Sequence, residues 1–292
     1  HLGELARLSL ARTLYSTGEF ERSVEFYGQI PRGSRYWLDA LFESAWADFQ
    51  LEQFNRALGN LHSLNSPFFD DEFFPEAPIL QAVILFFNCR YQLVRQALDE
   101  FELVYEPLFV QLEELMDEML STTDYYEFLR DAEGRSAGAL DPRLQQIVNA
   151  TLVDRSVRES LEYIDALDRE RRSLRGLDRG WTNSEFGLYL SGHLEVTHET
   201  AITRAGGLVQ SRLRDIRDEL ESYRLQATAI LVETELAEAG ALSSGLAAAV
   251  FRGETDVTAA VTRPDQIRWT FRGEYWKDEI GHYYYRIRSD CR

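Results

Sequence analysis

Apolar residues in the first hundred positions recur three and four apart, in runs short enough to be single amphipathic helices. LGELARLSLARTLY is followed by FERSVEFYGQI, and LFESAWADFQ by FNRALGNLHSL. Each pair of runs is separated by a few polar residues, which predicts two helices joined by a tight turn. The pattern also repeats. Ala11, Tyr15, Gly18, Phe20, Ser23, Tyr27 and Ile30 correspond to Ala45, Phe49, Glu52, Phe54, Ala57, Leu61 and Leu64, always 34 residues on. A third copy places Ala82, Phe86, Cys89, Tyr91, Val94, Leu98 and Phe101 in the same slots, now 37 residues on. The three extra residues fall in the insertion SPFFDDEFFPEAP.

The slots have physical content. Small residues (Ala11, Ala45, Ala82, Ser23, Ala57) suit the close crossing of two antiparallel helices, and large aromatics suit the packing of one pair on the next. Gly18 falls at the turn, where a left-handed residue is needed. Pro75 suits the first turn of a helix. On these residues the chain resembles the tetratricopeptide repeat family over about Leu2 to Glu106, with the turn glycine replaced by Glu52 and Cys89 in the second and third copies. The resemblance implies a helix-pair solenoid whose first helices line a concave, protein-binding face. By position that face comprises Leu5, Leu8, Arg12 and Ser16, then Asp39, Phe42, Trp46 and Gln50, then Glu76, Ile79, Val83 and Phe87. The expected partner-binding residues are Arg12, Asp39, Phe42, Trp46, Gln50 and Phe87, since aromatics and arginine are the usual anchors of binding. The lysine and asparagine clamp by which the family holds terminal carboxylates is missing. Leu2, Leu5 and Leu8 lack a covering element, which predicts further repeats upstream or a partner there.

Beyond residue 106 the helical period lengthens. LFVQLEELMDEML after Pro107 and YYEFLRDAE, capped by Ser121–Asp124, predict connecting helices, with a loop from Gly134 to Pro142. A helix is expected over about 143–177, with Val157, Leu161, Ile164, Leu167 and Leu174 on one face. After the glycine-bearing stretch RGLDRGWTNSEFG a longer helix is expected over about 192–239, reaching roughly 70 Å. Its stripe of Ile202, Ala205, Val209, Leu213, Ile216, Leu220, Tyr223, Ala227 and Ile230 is heptad-like. Together they predict an antiparallel hairpin, either an arm within the molecule or a dimerisation surface. GALSSGLAAAVFRGETDVTAAVTRPDQ then leaves the helical period. RWTFRGEYWKDEIGHYYYRIRSDCR alternates like strand around Trp269 and Phe271 and again at YYYRIR. One strand cannot stand alone. This tail is expected to act first as a clasp over the helices and second as a binding element.

The fold class expected is all-α: a tetratricopeptide-like helix-pair solenoid (1–106), connecting helices and loop (107–141), a long antiparallel helical hairpin (142–245), and an extended, partly β aromatic tail (246–292).

Charge narrows the partners. Thirty-one basic against 49 acidic residues give a net charge of −18, contrary to a nucleic-acid footprint. Lys277 is the sole lysine. No apolar run is long enough to predict direct membrane insertion. The two cysteines, Cys89 and Cys291, are no disulfide framework, and a buried thiol with a free terminal thiol is expected rather than a bridge.

The search for chemistry yields little. Glu195 and His198 form one Glu-x-x-His, which a di-iron bundle needs twice. With His193 they read as solvated polar residues near a helix start. Asp70–Glu72 lacks the calcium-loop pattern, and no phosphate loop, Gly-x-Ser-x-Gly or Cys-x-x-Cys is present. No catalytic residue, metal or cofactor is expected. The function expected is a non-enzymatic protein-protein interaction scaffold, with partners on the concave face and possible homo-oligomers through the hairpin. The architecture and tail are also similar to large repeat scaffolds of the bacterial envelope, as in deltaproteobacterial gliding systems, which implies the periplasm or outer membrane. The alternative is a cytoplasmic regulatory adaptor; a metal-dependent enzyme ranks last.

Overall fold

The computed structural model describes residues 2–134, 141–243, 256–259, 271 and 273–291. The chain is predominantly helical. The first helices are α1 (Leu2–Ser16), α2 (Phe20–Gly28), α3 (Trp37–Gln50), α4 (Phe54–Leu64), α5 (Glu76–Phe87) and α6 (Tyr91–Glu118). They are followed by α7 (Thr122–Gly134), α8 (Pro142–Val153), α9 (Arg155–Arg175), α10 (Arg179–Thr182) and α11 (Glu185–Ser243). Strands β1 (Asp256–Ala259) and β2 (Tyr283–Arg286) pair antiparallel, Asp256 opposite Arg286.

The chain forms two compact units, 1–104 with 223–292, and 105–222. These join distant stretches, because α6 and α11 each supply residues to both.

In the first unit the helix ends follow the sequence repeat. α1, α3 and α5 stop at Ser16, Gln50 and Phe87; α2, α4 and α6 start at Phe20, Phe54 and Tyr91. Between them Gly18, Glu52 and Cys89 have φ of 81°, 56° and 54°. Glu52 and Cys89 depart from glycine in side chain but not in conformation, at a cost of about 1–2 kcal/mol each. The small residues at the crossings (Ala11, Ala45, Ala57, Ala82, Val94) are wholly buried. Ser23 is buried too, its Oγ donating to the Ala11 carbonyl at 2.9 Å. A core cluster joins Leu8, Ala11, Tyr27, Ile30 and Ala40.

The C-terminal segment lies along α4. The Tyr283 carbonyl sits where a Cβ on Gly59 would be 2.0 Å away, so only glycine admits the strand. The Gly281 N–H donates to Ser63 Oγ at 2.9 Å, and the Ile287 N–H to Asn55 Oδ1 at 2.9 Å. The His62 ring is enclosed by Phe271, Tyr275, Tyr283 and Tyr285, with centroids 4.5, 5.0, 4.7 and 5.7 Å away. Further on, Arg90 and Asp290 form a largely buried ion pair at 2.7 Å. Cys89 and Cys291 are bonded to each other, their Cα atoms 5.3 Å apart. The expectation of free thiols is therefore corrected: docking of the tail closes a gap of 202 residues that spacing along the chain cannot foretell. Trp269 and the flanking Arg263, Arg268, Thr270 and Arg272 lie outside the described residues, as does most of the loop expected between Gly134 and Pro142.

Three helix boundaries differ from expectation. α6 runs unbroken through Pro107. Pro107 removes one helical hydrogen bond, and burial of Phe101, Tyr105, Leu108 and Leu112 on the same helix offsets that loss. The helix expected over 143–177 is interrupted at Asp154, whose ψ is 132°. There the carboxylate accepts from the Ser156 and Val157 N–H groups at 2.9 and 3.2 Å and starts a new helix. α11 spans 59 residues, roughly 90 Å, and takes in the expected loop residues from Glu185 onward.

In the second unit Ile164 and Leu167 of α9 share a buried cluster with Leu194, Ala201 and Ala205 of α11. Tyr126 of α7 packs against it. α7 begins as anticipated: Asp124 accepts from the Leu120 and Ser121 N–H groups, and Ser121 Oγ accepts from the Asp124 N–H.

Candidate functional site

The first helices of the three pairs jointly line a recess of about 480 Å³, walled by Arg12, Tyr15, Tyr27, Glu43, Trp46 and Glu76. α1 contributes Arg12 and Tyr15, one turn apart on the face that does not carry Ala11 and Leu14. α3 contributes Glu43 and Trp46, which alternate with the buried Ala40, Ser44 and Ala47. α5 contributes Glu76 at its first turn, and Tyr27 reaches in from α2.

Charge in the recess is organised around Glu43. Arg12 grips it with two parallel bonds, Nε to Oε2 at 2.8 Å and Nη2 to Oε1 at 2.5 Å. The Tyr27 hydroxyl donates to Oε2 at 2.9 Å. The hydrogen bond to Glu43 raises the Arg12 pKa, so the guanidinium stays charged. Burial, and then the neighbouring Glu43 charge, push the Tyr27 hydroxyl well above its usual range. Asp39, one turn before Glu43, has its carboxyl raised by burial first and by the Glu43 charge second; Arg12 and Arg35 pull the other way. Burial also raises Tyr15.

Of the residues singled out in the sequence, Arg12 and Trp46 meet in this recess. Asp39 borders it electrostatically through Glu43 and Arg12. Phe42 is turned onto Phe74 of the insertion, ring centroids 5.7 Å apart, so the insertion covers it. Phe87 is 60% exposed and touches Phe49 at 5.8 Å, as Trp46 does at 5.7 Å. Phe49 thus links the two into one aromatic edge. Gln50 is exposed at the end of α3. Leu8 and Ile79, counted by position on the concave face, are core residues. Arg12 was expected to offer its donor fork to a partner, but Glu43 already occupies that fork.

The residue missed was Glu43. It lies four after Asp39 and three before Trp46, so helical spacing alone places it on their face. Tyr27 carries no such signal, because its slot in the repeat reads as packing.

The Glu-x-x-His of α11 also differs from expectation. It lies within a long helix rather than at its start, and it is part of an ion cluster with α9. Arg171 donates to Glu195 at 2.6 Å and to Asp168 at 3.2 Å, and its Nη1 lies 3.1 Å from His198 Nδ1. His198 Nε2 stands 3.0 Å from Asp168, though poorly aligned for a hydrogen bond. Among the described residues no group of three His, Cys, Asp or Glu side chains is arranged to hold a metal ion. No helix among them is long and apolar enough to cross a membrane.

No protein-family profile matches the chain, and neither the curated proteins nor the solved structures include one significantly similar to it.

Proposed function

We propose that the chain is a non-enzymatic scaffold of the tetratricopeptide-repeat type, which binds other proteins in the recess between α1, α3 and α5. One observation carries the reading: side chains from the first helix of all three pairs wall a single recess. The left-handed residues Gly18, Glu52 and Cys89, at the repeat spacings of 34 and 37, support the family reading. α9 and α11 are read as the antiparallel hairpin, because Asp168 of α9 meets His198 of α11 and Arg171 meets Glu195, rising numbers against falling ones. The hairpin serves as an arm or as a site of self-association.

The Cys89–Cys291 bond favours an oxidising compartment. That supports placement in the bacterial periplasm or at the outer membrane, as part of an envelope assembly.

The test is cross-linked capture from the native organism with the wild type and with Trp46→Ala combined with Phe87→Ala. Partners lost from the double variant at unchanged helicity support the groove; equal capture by both proteins removes it. Thiol labelling of protein from the same cells addresses the compartment. Unlabelled, bonded cysteines fit the envelope, and free thiols shift the reading to a cytoplasmic adaptor.

A further inference from the structure

α11 carries a second apolar stripe near its C-terminal end. Leu225, Ala229, Val232 and Leu236 follow one another at steps of four, three and four, so they share one face of the helix. That face is open to solvent: Leu225 is 63%, Val232 53% and Leu236 69% exposed, and Ala229 is exposed with them. The opposite face of the same turns is marked by Thr234, which is fully buried, and by Glu238, which Arg95 of α6 holds at 2.7 Å. The whole stretch, with Arg95, lies in the first unit. Exposed apolar residues scattered singly call for no explanation, but leucine and valine in heptad order form the surface on which another helix packs.

The charges beside the stripe decide which helix. Glu233 follows Val232 and Glu235 precedes Leu236, so the two lie on opposite flanks, where paired helices set charge against charge. Both are exposed. Glu235 reaches Arg95 only at 4.0 Å, and Arg95 is already taken by Glu238. Between 223 and 243 the sole basic residue is Arg224, which is itself engaged in the fold. A second copy of this helix would therefore add carboxylate to carboxylate. An anionic lipid surface would be repelled in the same way. A helix with lysine or arginine on its flanks would pair with both glutamates while its apolar face covers the stripe.

We infer that the C-terminal part of α11 packs against an amphipathic helix of a partner protein, with aliphatic residues in heptad order and lysine or arginine on its flanks. This surface is separate from the recess between α1, α3 and α5 and does not depend on that reading.

The probes are two synthetic three-heptad peptides with leucine at the core positions, alike except for lysine or glutamate on the flanks. Each is titrated onto the full chain by fluorescence anisotropy, below the concentration at which it self-associates. The lysine-flanked peptide should bind at least about tenfold more tightly than the other. Val232→Ser combined with Leu236→Ser should abolish that binding at unchanged helicity. Glu233→Lys combined with Glu235→Lys should transfer the preference to the glutamate-flanked peptide. Binding of the lysine-flanked peptide that survives the serine variant comes from the net charge of −18 alone and overturns the proposal. Equal binding of both peptides overturns the basic partner. A serine variant that loses helicity shows the stripe to be covered within the molecule and overturns it as well. Binding of neither peptide also overturns it; light scattering and sedimentation with zwitterionic vesicles then tell whether a second copy or a membrane surface takes the stripe instead.

Discussion

Asp48 sits in the core of the second helix pair with its side chain fully buried. Its Oδ2 accepts from Asn60 at 3.3 Å and Arg56 stands 3.6 Å off, while Oδ1 has no hydrogen-bond partner. Burial pushes its carboxyl up to about 6. A folded-state pKa above the unfolded one means that the protonated form stabilises the fold, and this contribution is lost as pH rises through about 6. Asp48→Asn should therefore be more stable than wild type at pH 7.5, by up to roughly 3 kcal/mol, with the gain shrinking toward pH 4. His62 acts in the opposite sense. Burial among the rings of Tyr275, Tyr283, Tyr285 and Phe271 lowers it to about 4. Its neutral form stabilises the fold above about pH 6.5, and that contribution is lost as pH falls to about 4, again on the order of 3 kcal/mol. Subtracting the pH–stability curve of His62→Leu from that of wild type should isolate this slope. The raised carboxyls of Asp39, Glu100 and Glu279 act with Asp48 and cancel in that difference. Urea melts from pH 4 to 8 measure both effects; a difference curve without slope between pH 4 and 6.5 would show that His62 is not enclosed.

At the scale of elements, α4 and β2 depend on each other. Among the described residues β2 pairs with β1 alone, too little for a stable sheet, and α4 would leave His62 and Gly59 open without it. Gly59→Val would drive a side chain into the Tyr283 carbonyl, which the present packing leaves no room for. The expected result is release of the tail, a loss of about 2–4 kcal/mol, rapid proteolysis within 271–291, and a His62 pKa that returns toward its ordinary value in an NMR titration. An unchanged His62 titration in that variant would mean that the tail does not form the cage. The repeat that defines α1 to α6 was legible because seven slots recurred at fixed offsets. The extent of α6 and α11 was not. Pro107 and Gly187 signal ends locally; burial of Phe101, Tyr105, Leu108 and Leu112 carries α6 through the first, while α11 starts just before the second, where Ser184 Oγ accepts from the Gly187 N–H at 3.0 Å.

Over the whole molecule, the Cys89–Cys291 bond closes a loop with a sequence separation of 202 residues. It begins at the left-handed turn between α5 and α6 and returns to it at the C-terminus, so the entire second unit lies within the loop. Such a constraint acts mainly on the unfolded chain and is worth about 2–5 kcal/mol. Cys291→Ser should lower the unfolding free energy by that amount, and reductant should lower wild type to the same level while leaving the variant unchanged. Equal urea midpoints with and without reductant would argue against the bond. The candidate site was partly legible at this scale. Arg12, Asp39 and Trp46 follow from repeat position, since a helix presents every third or fourth residue on one face. That Glu43 claims Arg12 did not follow, because side chains 31 residues apart are paired by the packing of α1 on α3.

Periodicity in the amino-acid order was enough to establish the helical class, the three pairs and their turns, because these depend on contacts between near neighbours. Where the tail docks, which cysteines bond and which residue holds Arg12 depend on residues from about thirty to two hundred positions apart. Contacts of that range leave no period in a sequence, and here they follow from how α4, the aromatic strand and the first helices of the pairs come to lie together.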